Sequence, residues 1–159
     1  MTQKNQAKVS VPGIEFETYS LPNGLQVILH EDNKLPVVHV NLWYHVGSKN
    51  ERPGKTGFAH LFEHMMFEGS RNVKEEYISL MERAGANISQ GGVNGTTNFD
   101  RTNYFETVPS GALELVLWAE SDRMGYLLDA VTQENFDNQR DVVKNERRQT
   151  MDNVPYGTA

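Results

Sequence analysis

The segment FAHLFEHMM, residues 58–66, limits what this chain can become more than any other stretch. At 3.6 residues per turn, Phe58, Leu61, Phe62, Met65 and Met66 fall at i, i+3, i+4, i+7 and i+8. They predict an amphipathic helix whose apolar stripe must be buried against another layer. His60, Glu63 and His64 centre on the opposite side. Two imidazoles at i and i+4 point the same way one turn apart, so both can reach one tetrahedral cation. Glu63 shares that face, within reach of a water at such an ion, where a carboxylate can take a proton and later deliver it to a leaving amine. The competing reading of the same residues is a solvated polar face without a metal.

The rest of the composition restricts where a further ligand can come from. None of the 159 residues is cysteine, so the chain forms no disulfide or thiolate site, and any metal is held by His, Asp or Glu. Residues 132–150 read as a helix capped by Thr132, and it offers Glu134, Asp137, Asp141 and Glu146. Phe136, Val142 and Val143 set its apolar side. Glu146 lies between the two valines in angle, whereas the other three carboxylates point away. A carboxylate on the core-facing side is costly unless paired or metal-bound, which makes Glu146 the candidate; a salt bridge to an arginine of a neighbouring helix is the alternative. Gln139, seven residues earlier on the same face, is positioned to hydrogen-bond Glu146 or a histidine, although a role outside the site is the simpler reading. His30, His39 and His45 lie in strand-like segments without a partner at ligand spacing, and none is assigned to a metal.

Residues 14–47 read as an antiparallel meander: IEFETYSL, a turn at Pro22 to Gly24, LQVILHED, a break at Pro36, then VVHVNLWYHVG. The Gly/Pro-rich residues 47–57 form a loop leading into the His/Glu helix. A second helix is expected over 74–84, ended by Gly85. Residues 86–109 read as strand, turn, strand, and Ser110 as the cap of a helix running to about Met124. Strands first and helices after, without βαβ units, indicate an α+β fold with an antiparallel sheet packed against helices. With 38% hydrophobic and 23% charged residues the chain is expected to be a soluble globular domain. A net charge of −6 and a pI near 5.3 argue against nucleic acid as a partner. No apolar run approaches membrane-spanning length, and MTQKNQAKVSVPG lacks the apolar core of a signal peptide. A leader already trimmed leaves the compartment open, the periplasm included. The DNVPYGTA end follows a helix with no closing element, as expected of a piece of a longer chain.

HxxEH is an inverted zinc motif, and with it the chain resembles the pitrilysin, insulysin and mitochondrial-processing-peptidase family of zinc metallopeptidases. The resemblance is carried by YSLPNGLQV, GSKNERPGKTGFAHLFEHMMFEGS, NGTTNFDRTNYF, WAESDRM and NQRDVVKNERRQ, in that order. It implies Zn2+ as cofactor, His60, His64 and Glu146 as ligands, and Glu63 as catalytic base. It also implies that Asn94, followed by Gly95, lies in an edge strand that pairs with the substrate backbone. Two residues depart from the family pattern: Gly95 stands where alanine is usual, and Gln139 where glutamate is common. Family members are usually longer, with a second domain of similar fold closing over the substrate. The chain therefore reads as an extension, 1–13, and a zinc-bearing first half-domain, 14–159, of a two-domain metallopeptidase.

The resulting expectation is an endopeptidase for unfolded peptides or targeting segments, inactive without a second homologous domain or subunit. Its rival is a non-catalytic assembly or regulatory subunit. Structural members of the family typically lose motif residues, whereas all four are present here. A metal-dependent hydrolase of small molecules would need a closed pocket, against which an Asn94 edge strand argues.

Overall fold

The computed structural model describes residues 13–153, so the expected N-terminal extension, apart from Gly13, and the VPYGTA end lie outside the described residues. The described residues form two compact units, divided between Leu35 and Pro36. Within the first, β1 (Glu17–Ser20) and β2 (Gln26–Leu29) make an antiparallel hairpin running from Glu17 opposite Leu29 to Ser20 opposite Gln26. Its turn closes through the Gly24 N–H to the Leu21 carbonyl at 2.9 Å and the Leu25 N–H to Asn23 Oδ1 at 3.1 Å.

The expected meander stops there. The third strand, β3 (Val37–Tyr44), belongs to a separate sheet of order β3-β5-β4, built with β4 (Val93–Thr97) and β5 (Thr102–Pro109). All eight residues of β3 pair with β5, from Val37 opposite Pro109 to Tyr44 opposite Thr102, whereas the four-residue β2 could satisfy only half of them. Alternation in β3 identifies its buried face but does not name its neighbour.

One face of this sheet meets helices α1 (Phe58–Met65), α2 (Tyr77–Arg83) and α3 (Leu113–Tyr126). Val93 and Val108 from the strands pack with Tyr77, Met81, Val116 and Ala119 from α2 and α3. This is the expected α+β layer. α2 starts three residues later than the periodicity suggests and ends at Gly85, where the Gly85 N–H bonds the Glu82 carbonyl and the Ala86 N–H bonds the Met81 carbonyl, both at 2.9 Å. Ser110 is not a helix cap. It opens a 3-10 turn, Ser110–Ala112, before α3, and its N–H is used instead on the Pro36 carbonyl at 3.0 Å. The fourth helix, α4 (Gln133–Arg147), is capped as expected by the Thr132 hydroxyl, which accepts from the Asn135 N–H at 3.1 Å. It passes into a π-helical turn, Arg148–Asp152.

The apolar stripe of α1 divides. Leu61, Met65 and Met66 are buried, whereas Phe58 and Phe62 remain 42% and 47% exposed and line a cavity of about 720 Å3 with Val46 and Leu128. The difference follows from what covers each end: Met66 meets Tyr104 and Leu127, and neither phenylalanine has a comparable lid among the described residues.

The core is polar at its centre. Arg123 is 2% exposed, stacks its guanidinium on Tyr77 at 3.9 Å and on Tyr104 at 4.5 Å, and donates through Nε to Glu120 at 2.8 Å. Glu120 also accepts from the Tyr77 hydroxyl at 3.0 Å. Beside them Glu106 is fully buried and neither of its oxygens has a hydrogen-bond partner among the described residues. No helix among the described residues is long and apolar enough to cross a membrane.

Burial, and secondarily the Glu120 carboxylate, push the Glu106 carboxyl up from 4.5 to about 8. The folded chain thus keeps a proton that the unfolded chain releases, and this contribution to stability declines as pH rises from about 4.5 to about 8. Glu106→Gln, neutral at every pH, should gain stability relative to wild type across that window, by at most about 1.4 kcal/mol per pH unit. Parallel stability profiles of the two proteins in urea titrations from pH 5 to 8 would contradict an uncharged native Glu106.

Candidate metal centre

The residue that precedes α1 at its N-cap is Gly57, which offers no capping side chain. The cap comes instead from Glu51 in the preceding loop, whose carboxylate accepts from the Gly57 N–H at 2.9 Å and the Ala59 N–H at 2.8 Å. A negative charge there satisfies two of the helix's orphan donors and complements its dipole. One turn further, His60 and His64 project side by side, with their Nε2 atoms 3.2 Å apart.

α4 packs against α1. Its half-buried positions include Phe136, Gln139, Val143 and Glu146, the spacing of a single helical face. Glu146 Oε2 lies 3.3 Å from His60 Nε2 and 3.5 Å from His64 Nε2. Among the described residues, His60, His64 and Glu146 are the group able to offer converging ligand atoms.

These separations test whether a metal fits. Three donors about 2.1 Å from a tetrahedral ion stand about 3.4 Å from one another, and two imidazoles with one carboxylate are an ordinary donor set for zinc. The observed 3.2, 3.3 and 3.5 Å match that edge length. Zinc therefore fits between the three side chains without their rearrangement.

The same three residues, with Glu63, Glu68 and Asn94, line a cavity of about 390 Å3. Glu63 is half-buried there, on the face of α1 that carries both histidines. Asn94 sits on β4, whose other side has no partner strand among the described residues, and its Oδ1 accepts from the Gly95 N–H at 2.9 Å. Gly95 points to the opposite face of the sheet, paired with Tyr104. A Cβ at Gly95 would come within 3.1 Å of both the Phe67 and Tyr104 rings, so glycine lets Phe67 lie close under the strand. The larger 720 Å3 cavity contains none of the three donor residues, and chemistry rather than size singles out the smaller one.

Gln139 does reach a histidine. Its Oε1 is 3.1 Å from His64 Nδ1, and its Nε2 donates to Glu68 Oε1 at 2.5 Å. Glu51 and Glu68 escape a sequence reading because both act across loops; the one local signal was Glu68 falling four residues after His64. The other histidines are occupied elsewhere: His30 with the Glu15 carbonyl at 2.7 Å, His39 with the Thr107 hydroxyl at 2.9 Å and His45 with Asp100 at 2.9 Å.

The profile of the insulinase family, peptidase family M16, matches residues 26–155. The chain is 38% identical over 145 residues to the zinc protease PqqE of Helicobacter pylori, covering 90% of this chain and 31% of that protein. It is 32% identical over 103 residues to the human insulin-degrading enzyme, covering 63% of this chain and 10% of that enzyme. Among solved structures, a protease from Helicobacter pylori superposes with a TM-score of 0.81 at 36% identity, over 91% of this chain and 33% of that one. The first half of the periplasmic protease PqqL from Escherichia coli superposes with a TM-score of 0.74 at 28% identity, over 89% and 31%. The match thus covers about a third of the Helicobacter pylori protein and about a third of that first half of PqqL.

Removing one donor should open the site. His64→Ala protein is expected to lose stoichiometric zinc while keeping the wild-type circular dichroism spectrum. Metal analysis after exhaustive dialysis checks this, and full retention would remove His64 from the ligand set.

Proposed function

The chain belongs to the insulinase family, peptidase family M16, and on that premise we propose that it is the zinc-bearing part, residues 14–159, of an endopeptidase acting on unfolded peptides or targeting segments. Zinc is the cofactor of this family of proteases. The observation that carries the reading is the trio of donors at tetrahedral-edge separations, sharing a cavity with Glu63 and with Asn94 on an open strand edge.

In this reading His60, His64 and Glu146 hold the ion, which when bound supplies Lewis acidity for polarising the scissile carbonyl and acidifying water. Glu63 is the general base: it accepts the proton of the attacking water and passes it to the leaving amine nitrogen. The substrate backbone adds to the free edge of β4 beside Asn94 and Gly95, where main-chain hydrogen bonds align an extended peptide without demanding a particular sequence. An edge of this kind suits unfolded chains, because a folded segment has already committed its backbone groups.

The Helicobacter pylori relative is about three times as long as this chain, and Escherichia coli PqqL, of whose first half alone the match covers about a third, is longer still. The rest of such a protein would supply a second domain, the far wall of the chamber and further groups for the transition state, and catalysis depends on groups of that kind being preorganised. The periplasmic setting of the Escherichia coli protein extends to this chain as part of the same proposal.

Two experiments test it. Glu63→Gln in the full-length protein should keep its zinc and lose peptide cleavage by a factor of about 10^2 to 10^4, since the amide cannot accept a proton; cleavage of a long unfolded peptide at the wild-type rate would require another base. The 159-residue chain by itself should fold and bind zinc yet cleave little, with activity appearing when the remainder of the protein is supplied. Robust chelator-sensitive cleavage by the 159 residues alone would replace the two-domain reading with a self-sufficient protease.

A further inference from the structure

We infer that Glu68 is a positioning residue for the metal centre, acting through the Gln139 amide to determine which ring nitrogen of His64 carries its proton. The inference rests on the reading of His60, His64 and Glu146 as zinc ligands, and it concerns what prepares one of them.

A glutamine side chain has two unlike ends, an acceptor oxygen and a donor NH2, and something must decide which way round it sits. Here the decision comes from Glu68. Its carboxylate can only accept, and it lies 2.5 Å from the end atom of Gln139 that faces it. A reversed amide would press oxygen against oxygen at that distance, so the NH2 group turns to Glu68. The amide oxygen is then left facing His64 Nδ1, 3.1 Å away. An amide oxygen only accepts, so the hydrogen bond exists only when Nδ1 carries the hydrogen. In the neutral ring this leaves the lone pair on Nε2. Nε2 is the atom that stands 3.2 Å from His60 Nε2 and 3.5 Å from Glu146 Oε2. The chain of three side chains thus selects the tautomer of His64 that can ligate.

Glu68 can do this because its backbone is tied down from both sides. Its N–H bonds the Met65 carbonyl at 3.1 Å, extending the end of α1. Two residues on, the Ser70 N–H bonds the Val73 carbonyl at 2.8 Å, and the Ser70 hydroxyl and the Asn72 N–H both donate to buried Asp122 of α3. The loop carrying Glu68 is therefore anchored to the core independently of the metal site. His60 has no such side-chain partner for its Nδ1 among the described residues, so the preparation falls on His64 alone.

The arrangement makes a specific prediction about Gln139→Glu. With Glu68 in place, it sets two carboxylates 2.5 Å apart, and they must separate. Zinc affinity, measured on the whole chain by competition with a chromophoric chelator, should fall about tenfold or more, the usual effect of removing a ligand's hydrogen-bond partner. The double variant Gln139→Glu/Glu68→Gln should return to within about threefold of wild type. In it the donor and acceptor ends are exchanged: the amide introduced at position 68 donates to the carboxylate introduced at position 139, and that carboxylate accepts from His64 Nδ1. A merely structural role for Glu68 would give no such rescue.

Glu68→Ala adds no charge and supplies a second readout: in metal-free protein the imidazole 15N shifts of His64 should change from the pure Nδ1–H tautomer of wild type to a mixture. Unchanged shifts in Glu68→Ala, or a double variant no tighter than Gln139→Glu, would overturn the relay. Wild-type zinc affinity in His64→Ala would instead overturn the ligand assignment beneath it.

Discussion

Arg123 is the group on which the arrangement of layers turns. Its guanidinium lies between the rings of Tyr77 from α2 and Tyr104 from β5, is paired with Glu120 on its own helix, and reaches the carbonyl of Met66 at the end of α1 at 3.4 Å. A buried cation is tolerable only when such partners surround it, and here the partners come from the sheet and from three different helices. The pair therefore ties the elements together less by its net energy, which buried ion pairs seldom supply in quantity, than by allowing few other arrangements. Anything that moved α1 along the sheet would break the Met66 contact and expose the charge to an apolar surrounding. The histidines of α1 inherit their placement from this constraint.

What could be read from the sequence was what depends on near neighbours. The helix over the HxxEH segment, the Thr132 cap and the Gly85 stop each involve side chains and backbone within a turn of one another, and all three are present. The partner of β3 could not be read this way, because strand pairing is decided by a segment far along the chain, with Tyr44 opposite Thr102 and Val37 opposite Pro109. Phe58 and Phe62 show a second limit. Periodicity says which side of a helix is apolar, but how much of that side is covered depends on the width of the layer it meets.

The same division runs through the site. His60, Glu63 and His64 share a turn of helix, so their common direction was legible from spacing alone. Glu146 required a wheel argument about a second helix, and α4 does turn that residue toward the histidines, although no residue of α4 is fully buried. The valines invoked for that argument are only partly covered, with Val142 39% exposed. Glu68 and Glu51 were not legible, because a loop side chain has no periodicity to betray where it points. Gln139 could be placed on the correct face, but its bond to His64 takes meaning only from the carboxylate behind it.

The unpaired side of β4 carries a liability of its own. An edge with no partner strand among the described residues, where Asn94 Oδ1 accepts from the Gly95 N–H, can receive an extended peptide and can equally receive the β4 of another molecule, and such edges are where sheet proteins aggregate. This strand is only five residues long, and Asn94 and Gly95 at positions two and three are among the poorest strand formers. Low intrinsic pairing strength discourages two identical edges from zipping together. The weakness of β4 as a strand is thus a safeguard for solubility, and the close seat that Phe67 takes beneath Gly95 keeps so weak a strand in place.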